Sequence, residues 1–115
     1  MSMTVFQRFL VDAEEQLSTA SFVNNRNFPQ YKELAKIVAE VYMLPGDMKI
    51  SVDGRDYSAS AVKDIFRNLT EDHVSYVIDK YNSLDYEVRN IKTFLRTMLY
   101  NSVFELESST AREVI

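Results

Sequence analysis

The single histidine of the chain is the first residue that could do chemistry. His73 follows Glu71 and Asp72 in the predicted first turn of a helix, and a histidine beside carboxylates is a partial ligand set for a metal ion. Zinc sites use three or four protein ligands, mostly His and Cys. Because the chain has no Cys and no second His, we expect His73 to be an ordinary helix residue and the protein to hold neither a metal nor another cofactor.

Other catalytic patterns are missing from the sequence. Gly46 and Gly54 are the only glycines and stand apart, so no glycine-rich loop is available to hold a phosphate. The scattered acids, among them Glu14 and Glu15, do not have the spacing of a general acid and base. No nucleophile elbow and no Ser/His/Asp arrangement can be assembled. The sequence therefore predicts a protein that is not an enzyme.

A basic stripe on the last predicted helix is the first candidate for binding. At about 100° per residue, its four members fall within one sector of the helix: Arg89, Lys92, Arg96 and Tyr100. The apolar residues of the same helix fall on the opposite side: Ile91, Phe94, Leu95 and Met98. The stripe could contact an acidic partner or a phosphate backbone. It equally fits the solvated face of an amphipathic helix.

The composition places these residues in one ordinary globular domain. The 115 residues are 46% hydrophobic and 26% charged, which is typical of a soluble protein with a single core. The net charge of −4 argues against wholesale coating of nucleic acid and still allows a local basic face. The absence of Cys fits a reducing compartment. Without a signal peptide or a membrane-length apolar run, we expect a cytoplasmic protein with no membrane partner.

Helical periodicity accounts for most of the chain. The predicted helices cover about 5–17, then 31–42 after Pro29, 62–69 after a cap at Ser58 or Ser60, 74–81 after a cap at Thr70, and Tyr86 to about Phe104 after Ser83 or Asp85. Breaks are expected at the polar segment 18–27 and at the Pro-Gly turn 44–47. Residues 107–115 lose the periodicity and are expected to fray.

One segment alternates like a strand instead. Residues 48–52 lead into Asp53-Gly54, a dipeptide that favours a two-residue hairpin turn with positive φ at both positions. Such a turn places Val52 opposite Arg55, and it predicts a buried side formed by Met48, Ile50, Val52 and Tyr57. Lys49 and Arg55 make the hairpin the second candidate binding site. The expected fold is mainly α, a compact bundle of about five helices with one small β-hairpin.

Residues 45–103 also carry a family resemblance. The residues concerned are Ile50-Ser-Val-Asp-Gly-Arg-Asp-Tyr57, Val62-Lys63, Phe66, Leu69, His73, Tyr76-Val77, Asn90-Ile-Lys-Thr-Phe-Leu95 and Leu99-Tyr-Asn101. In these the chain resembles the C-terminal domain of the replication initiator A proteins of Gram-positive plasmids and mobile elements. That domain is similar to the DnaD-type domain of replisome organisers. We expect the whole chain, 1–115, to form a single domain. Its first helix and loop, residues 1–28, match the family poorly.

The resemblance implies a non-catalytic module of a replication initiator that recruits host replication proteins, either primase, helicase loader or helicase. In the DnaD-like pattern, a Trp of the closing helix is linked to DNA binding. Here Met98 stands in that place and the chain has no Trp, which weakens base stacking on single-stranded DNA. Two alternatives stay open. One is a DNA-binding domain using the basic last helix, and the other is a free-standing mobile-element protein that modulates a host nucleic-acid enzyme.

Overall fold

The computed structural model describes residues 2–114 of the chain, with side chains described as far as residue 107. Within this range the chain forms five α-helices and one two-stranded antiparallel sheet. The elements are α1 (Val5–Gln16), α2 (Phe28–Met43), β1 (Lys49–Val52), β2 (Arg55–Ser58), α3 (Ala59–Phe66), α4 (Glu71–Asn82) and α5 (Ile91–Val114), with a short 3₁₀ segment at Thr19–Phe22. The predicted mainly α fold with one small hairpin is confirmed. Among the described helices, none combines the length and the apolar composition needed to cross a bilayer.

The central element of the bundle is α2, which contacts each of the other four helices. Its buried residues occur on several sides of the helix: Tyr31, Leu34, Ala35, Ile37, Val38, Ala39 and Val41. Pro29 lies in its first turn, where a missing N–H leaves no hydrogen bond unmade. The helix ends at Met43, before Pro45, as the sequence predicts.

The first helix packs on α2 and closes the bundle at one end. Ala13 and Leu17 are buried there, whereas Val5, expected in the apolar sector, is 63% exposed. Gln16 joins three helices, because its Nε2 donates to the carbonyl of Phe66 at 2.8 Å and its Oε1 accepts from the hydroxyl of Tyr42 at 2.7 Å. The same Nε2 donates to the carbonyl of Leu69 at 3.0 Å, so Gln16 joins α1 to the end of α3 and to the turn that follows it.

The hairpin has the predicted register. Val52 pairs with Arg55 and Ile50 pairs with Tyr57, and the two turn residues have φ of 55° and 75°, as a two-residue turn requires. Ile50 and Val52 are buried. The expectation for Met48 is wrong: it is 45% exposed, because β1 begins one residue later and the strand alternation does not reach it.

The last helix begins later than the sequence predicts. Residues 83–90 form a loop, and Ser83 closes α4 by donating its hydroxyl to the carbonyl of Asp79 at 2.8 Å. The side chain of Asn90 accepts from the N–H of Thr93 at 3.2 Å, so Asn90 caps α5 and the helix starts at Ile91. The predicted start at Tyr86 is therefore wrong. The helix continues to Val114, so the predicted end at about Phe104 is wrong as well. The fraying of 107–115 stays a prediction.

Candidate interaction surfaces

His73 is part of a helix cap. The N–H of Thr70 donates to Nδ1 of His73 at 3.0 Å, at the position where a capping box usually has Glu or Gln. Burial lowers the pKa of His73, while the negative charges of Asp72 and Glu107 act in the opposite direction. Within the described residues, no group of three His, Asp or Glu side chains could hold a metal ion. The sequence signal for this helix start was Thr70 with Glu71 and Asp72 in the first turn, and it did not indicate the role of His73.

The predicted basic stripe lies partly under the hairpin. Arg96 donates from Nη1 to the carbonyl of Ser51 at 3.3 Å, and the Oγ1 of Thr97 accepts from the N–H of Asp53 at 3.0 Å. The Nε of Arg96 is buried and has no hydrogen-bond partner among the described residues. Arg96 and Thr97 therefore hold β1 and the turn against α5.

Tyr100 packs within the same contact. Its ring stacks on Tyr57 of β2 with centroids 5.6 Å apart and an interplanar angle of 29°. On its other side it meets Phe104, also with centroids 5.6 Å apart. Burial raises the pKa of the Tyr100 hydroxyl, and the neighbouring Tyr57 adds to the effect. Tyr100 is thus a half-buried residue of the hairpin contact.

The other two residues of the stripe, Lys92 and Arg89, differ in whether they form an ion pair. Lys92 forms an exposed ion pair with Glu40 of α2, with Nζ and Oε1 3.1 Å apart. Arg89 is exposed in the loop before α5 and forms no ion pair within the part of the chain described. The prediction that Arg89, Lys92 and Arg96 share one exposed helical face is wrong, because Arg89 precedes the helix and the hairpin covers Arg96. Their role in binding stays a prediction.

The two cations of the hairpin do not form one patch. Both Lys49 and Arg55 are exposed. The register pairs Lys49 with Ser58 and Arg55 with Val52, and alternation along β1 puts Lys49 and Val52 on opposite faces. Lys49 therefore lies on the outer face of the hairpin, while Arg55 belongs to the end of the core-facing side.

Sequence reasoning missed an apolar cleft at the start of α5. The cleft has a volume of about 210 Å³ and lies between α2, α4 and α5. Its lining is mostly apolar: Leu34, Val77, Ile78, Tyr81, Ile91 and Leu95, with Gln30 and Glu33. Ile91 is 49% exposed, and Tyr86 in the preceding loop is 59% exposed. Helical periodicity predicted the apolar residues of this cleft as core. No local sequence signal shows that three helices leave a gap between them.

A family model matches the chain over residues 14–113. The chain belongs to DUF6017, a family of unknown function. The DUF6017 match begins within α1 and includes α2, so it is wider than the resemblance over 45–103. No curated protein and no solved structure matches the chain. Because DUF6017 has no assigned function, the resemblance to replication initiators stays a prediction.

Proposed function

We propose that the chain is a non-catalytic interaction module of a plasmid or mobile-element replication initiator, which recruits host replication proteins such as primase, helicase loader or helicase. The resemblance over 45–103 supports the replication context. The observation that carries the interaction role is the apolar cleft at the start of α5, together with the exposed Arg89 beside it in the chain.

The cleft has the character of a protein contact. Its volume of about 210 Å³ is below the range of roughly 300–1,000 Å³ that small-molecule sites occupy. An apolar lining with an exposed Ile91 suits one aliphatic or aromatic side chain of a partner. Arg89, two residues before Ile91, forms no ion pair among the side chains that the structure describes, so its charge can meet an acidic group of the same partner. The proposed contact therefore combines an apolar anchor with a flanking cation.

Direct DNA binding by the stripe has less support from the same geometry. Lys92 pairs with Glu40, and Arg96 bonds to the hairpin backbone. Half-buried Tyr100 stacks on the hairpin, and the net charge of the chain is −4. Phosphate contacts need free cations on one face. Direct DNA binding is therefore the weaker alternative, and the titration described next includes DNA to test it.

Titration of the purified chain against purified host primase, helicase loader, helicase, and single- and double-stranded DNA tests the proposal. We expect binding to one of the proteins, and roughly tenfold weaker binding when Arg89→Glu opposes an acidic partner. Arg8→Glu is the matched control, since Arg8 is also an exposed arginine that forms no ion pair within the described residues, and α1 contributes nothing to the lining of the cleft. Its affinity should stay within about twofold of the wild type.

Three results would contradict the proposal. The first is no binding to any of the three proteins. The second is an equal loss of affinity for Arg89→Glu and Arg8→Glu. The third is binding to DNA alone, with an affinity that falls steeply and linearly on a log–log salt plot, which would favour the DNA-binding alternative.

A further inference from the structure

The loop between α4 and α5 carries an exposed aromatic side chain beside the apolar cleft. Residues 83–90 start two residues after Tyr81 and end just before Ile91, and both of these residues line the cleft. Tyr86 of the loop is 59% exposed and does not belong to the lining. The surface therefore presents a protruding aromatic ring and an open cleft next to each other.

The cleft is large enough to take the ring of a tyrosine. Its volume is about 210 Å³, and a cavity of roughly 150 Å³ can hold a benzene ring. Most of the lining is apolar, so a ring that enters the cleft leaves water, while Gln30 and Glu33 of the lining offer acceptors to a phenolic hydroxyl. Because Tyr86 lies outside its own cleft, the same tyrosine of a second copy is an occupant that fits.

The charges of the 83–90 loop are complementary to those of a second such loop. Asp85, Glu87 and Arg89 are exposed, and none of them forms an ion pair within the described residues. A wholly acidic partner surface would be repelled by the two carboxylates, and a wholly basic one would be repelled by the arginine. Another copy of the loop offers both signs, so the arginine of each copy can face the acids of the other. Charge complementarity thus favours a second copy of this chain.

We propose that two copies of the chain associate through this surface, with a two-fold axis between the two 83–90 loops. Tyr86 of each copy enters the cleft of the other and covers Ile91, while Arg89 pairs with Asp85 or Glu87 of the other copy. Such a contact uses the same residues on both sides and closes at the dimer. Two buried rings of about 150–250 Å² each make a contact smaller than the roughly 1,200 Å² of stable complexes. The dimer therefore forms at high protein concentration and dissociates on dilution.

Self-association and the proposed recruitment use the same cleft. A host protein that binds the cleft competes with the dimer, and this consequence alone rests on the proposed function. At the low concentrations of a titration the chain is monomeric and its cleft is accessible. Measuring self-association on the chain alone keeps the two proposals separate, since a chain that binds no host protein can still form the dimer.

Sedimentation equilibrium of the full chain tests the dimer. The weight-average mass should rise from that of a monomer toward that of a dimer between about 10 µM and 1 mM. Tyr86→Ser should weaken the association roughly tenfold, because it removes the ring that fills the cleft. The control Val23→Ser removes an apolar side chain of the same exposure, 59%, that does not line the cleft, and it should change the association by less than about twofold. A wild type that stays monomeric at about 1 mM, or equal losses for the two variants, would overturn the proposal.

A mixing experiment tests the ion pairs between the loops. Arg89→Glu leaves the loop with acids alone, and the double variant Asp85→Arg, Glu87→Arg leaves it with arginines alone. Neither variant should self-associate, because like charges would face each other across the two-fold axis. An equimolar mixture should associate roughly tenfold more tightly than either variant alone, and added salt should weaken it. A mixture that associates no better than its components would overturn the pairing of the two loops.

Discussion

The imidazole of His73 caps α4 only while its Nδ1 carries no proton, because that nitrogen accepts from the N–H of Thr70. Burial lowers the pKa of His73 below its ordinary value of 6.5. A lowered pKa in the folded state means that the unfolded chain takes up the proton first. The contribution of His73 to stability is therefore complete above about pH 6.5 and is lost as the pH falls through the folded-state pKa.

The matched variant His73→Gln tests this dependence. A glutamine at the same position keeps the capping box and does not titrate. Between about pH 7 and pH 5, the thermal midpoint of the wild type should fall further than that of the variant, because both share every other titrating group. Calorimetric scans across this range check the prediction, and parallel curves for the two proteins would contradict it.

Gly54 gives a second residue-scale prediction. Its φ is 75°, and a Cβ added there would meet nothing within 4 Å. Gly54→Val should therefore lose about 1–3 kcal/mol of unfolding free energy through backbone strain alone, since a β-branched residue resists positive φ. Gly54→Asn is the control, because Asn tolerates this conformation. Urea unfolding of both variants measures the difference, and a Val variant as stable as the Asn variant would refute the strain argument.

At the scale of elements, local signals predicted the structure well. Asp53-Gly54 defines the hairpin turn, and Thr70 begins α4 as predicted. Of the two candidate caps for α3, Ser58 and Ser60, it is Ser58 that begins the helix. These features depend on a few neighbouring residues, so a single sequence contains them. The start of α5 was missed because Asn90 also fits inside a helical pattern, and its capping role depends on where the chain turns after α4.

The sequence pattern could not predict how the elements pack against one another. A helical wheel sorts Arg96 and Tyr100 to the polar side of α5 but cannot show that a hairpin 40 residues earlier in the chain covers that side. The cleft around Ile91 escaped prediction for the same reason, since it depends on the distances among three helices. Contacts between segments far apart in sequence therefore decide which predicted binding residues remain free.

The hairpin contact leads to a prediction that separates two arginines. Arg96→Glu should lower the unfolding free energy by about 1–3 kcal/mol, because it removes the bond to Ser51 and places a carboxylate beside that carbonyl. Arg89→Glu should change it by no more than about 0.5 kcal/mol, since Arg89 is exposed in a loop. Denaturant unfolding of the two variants measures this difference in unfolding free energy. Equal stabilities would mean that Arg96 does not hold the hairpin.

At the scale of the whole molecule, the first turns of α2 separate two surfaces of different character. Phe28 and Lys32 line a groove between α1, the 3₁₀ segment and α2, whereas Gln30 and Leu34 line the apolar cleft at the start of α5. The net charge of −4 is a sum over the whole chain and does not show where the charges lie. Composition alone therefore could not assign a partner.

Amide hydrogen exchange of the chain, alone and with the host replication protein that binds it in titration, tests most directly whether the cleft is the recruitment surface. Residues 83–90 and the first turn of α5 should exchange more slowly when the partner is bound, because these amides border the cleft. The hairpin turn at Asp53 should be unaffected. Slower exchange at the hairpin, with unchanged exchange around Ile91, would show that the cleft is not the recruitment surface.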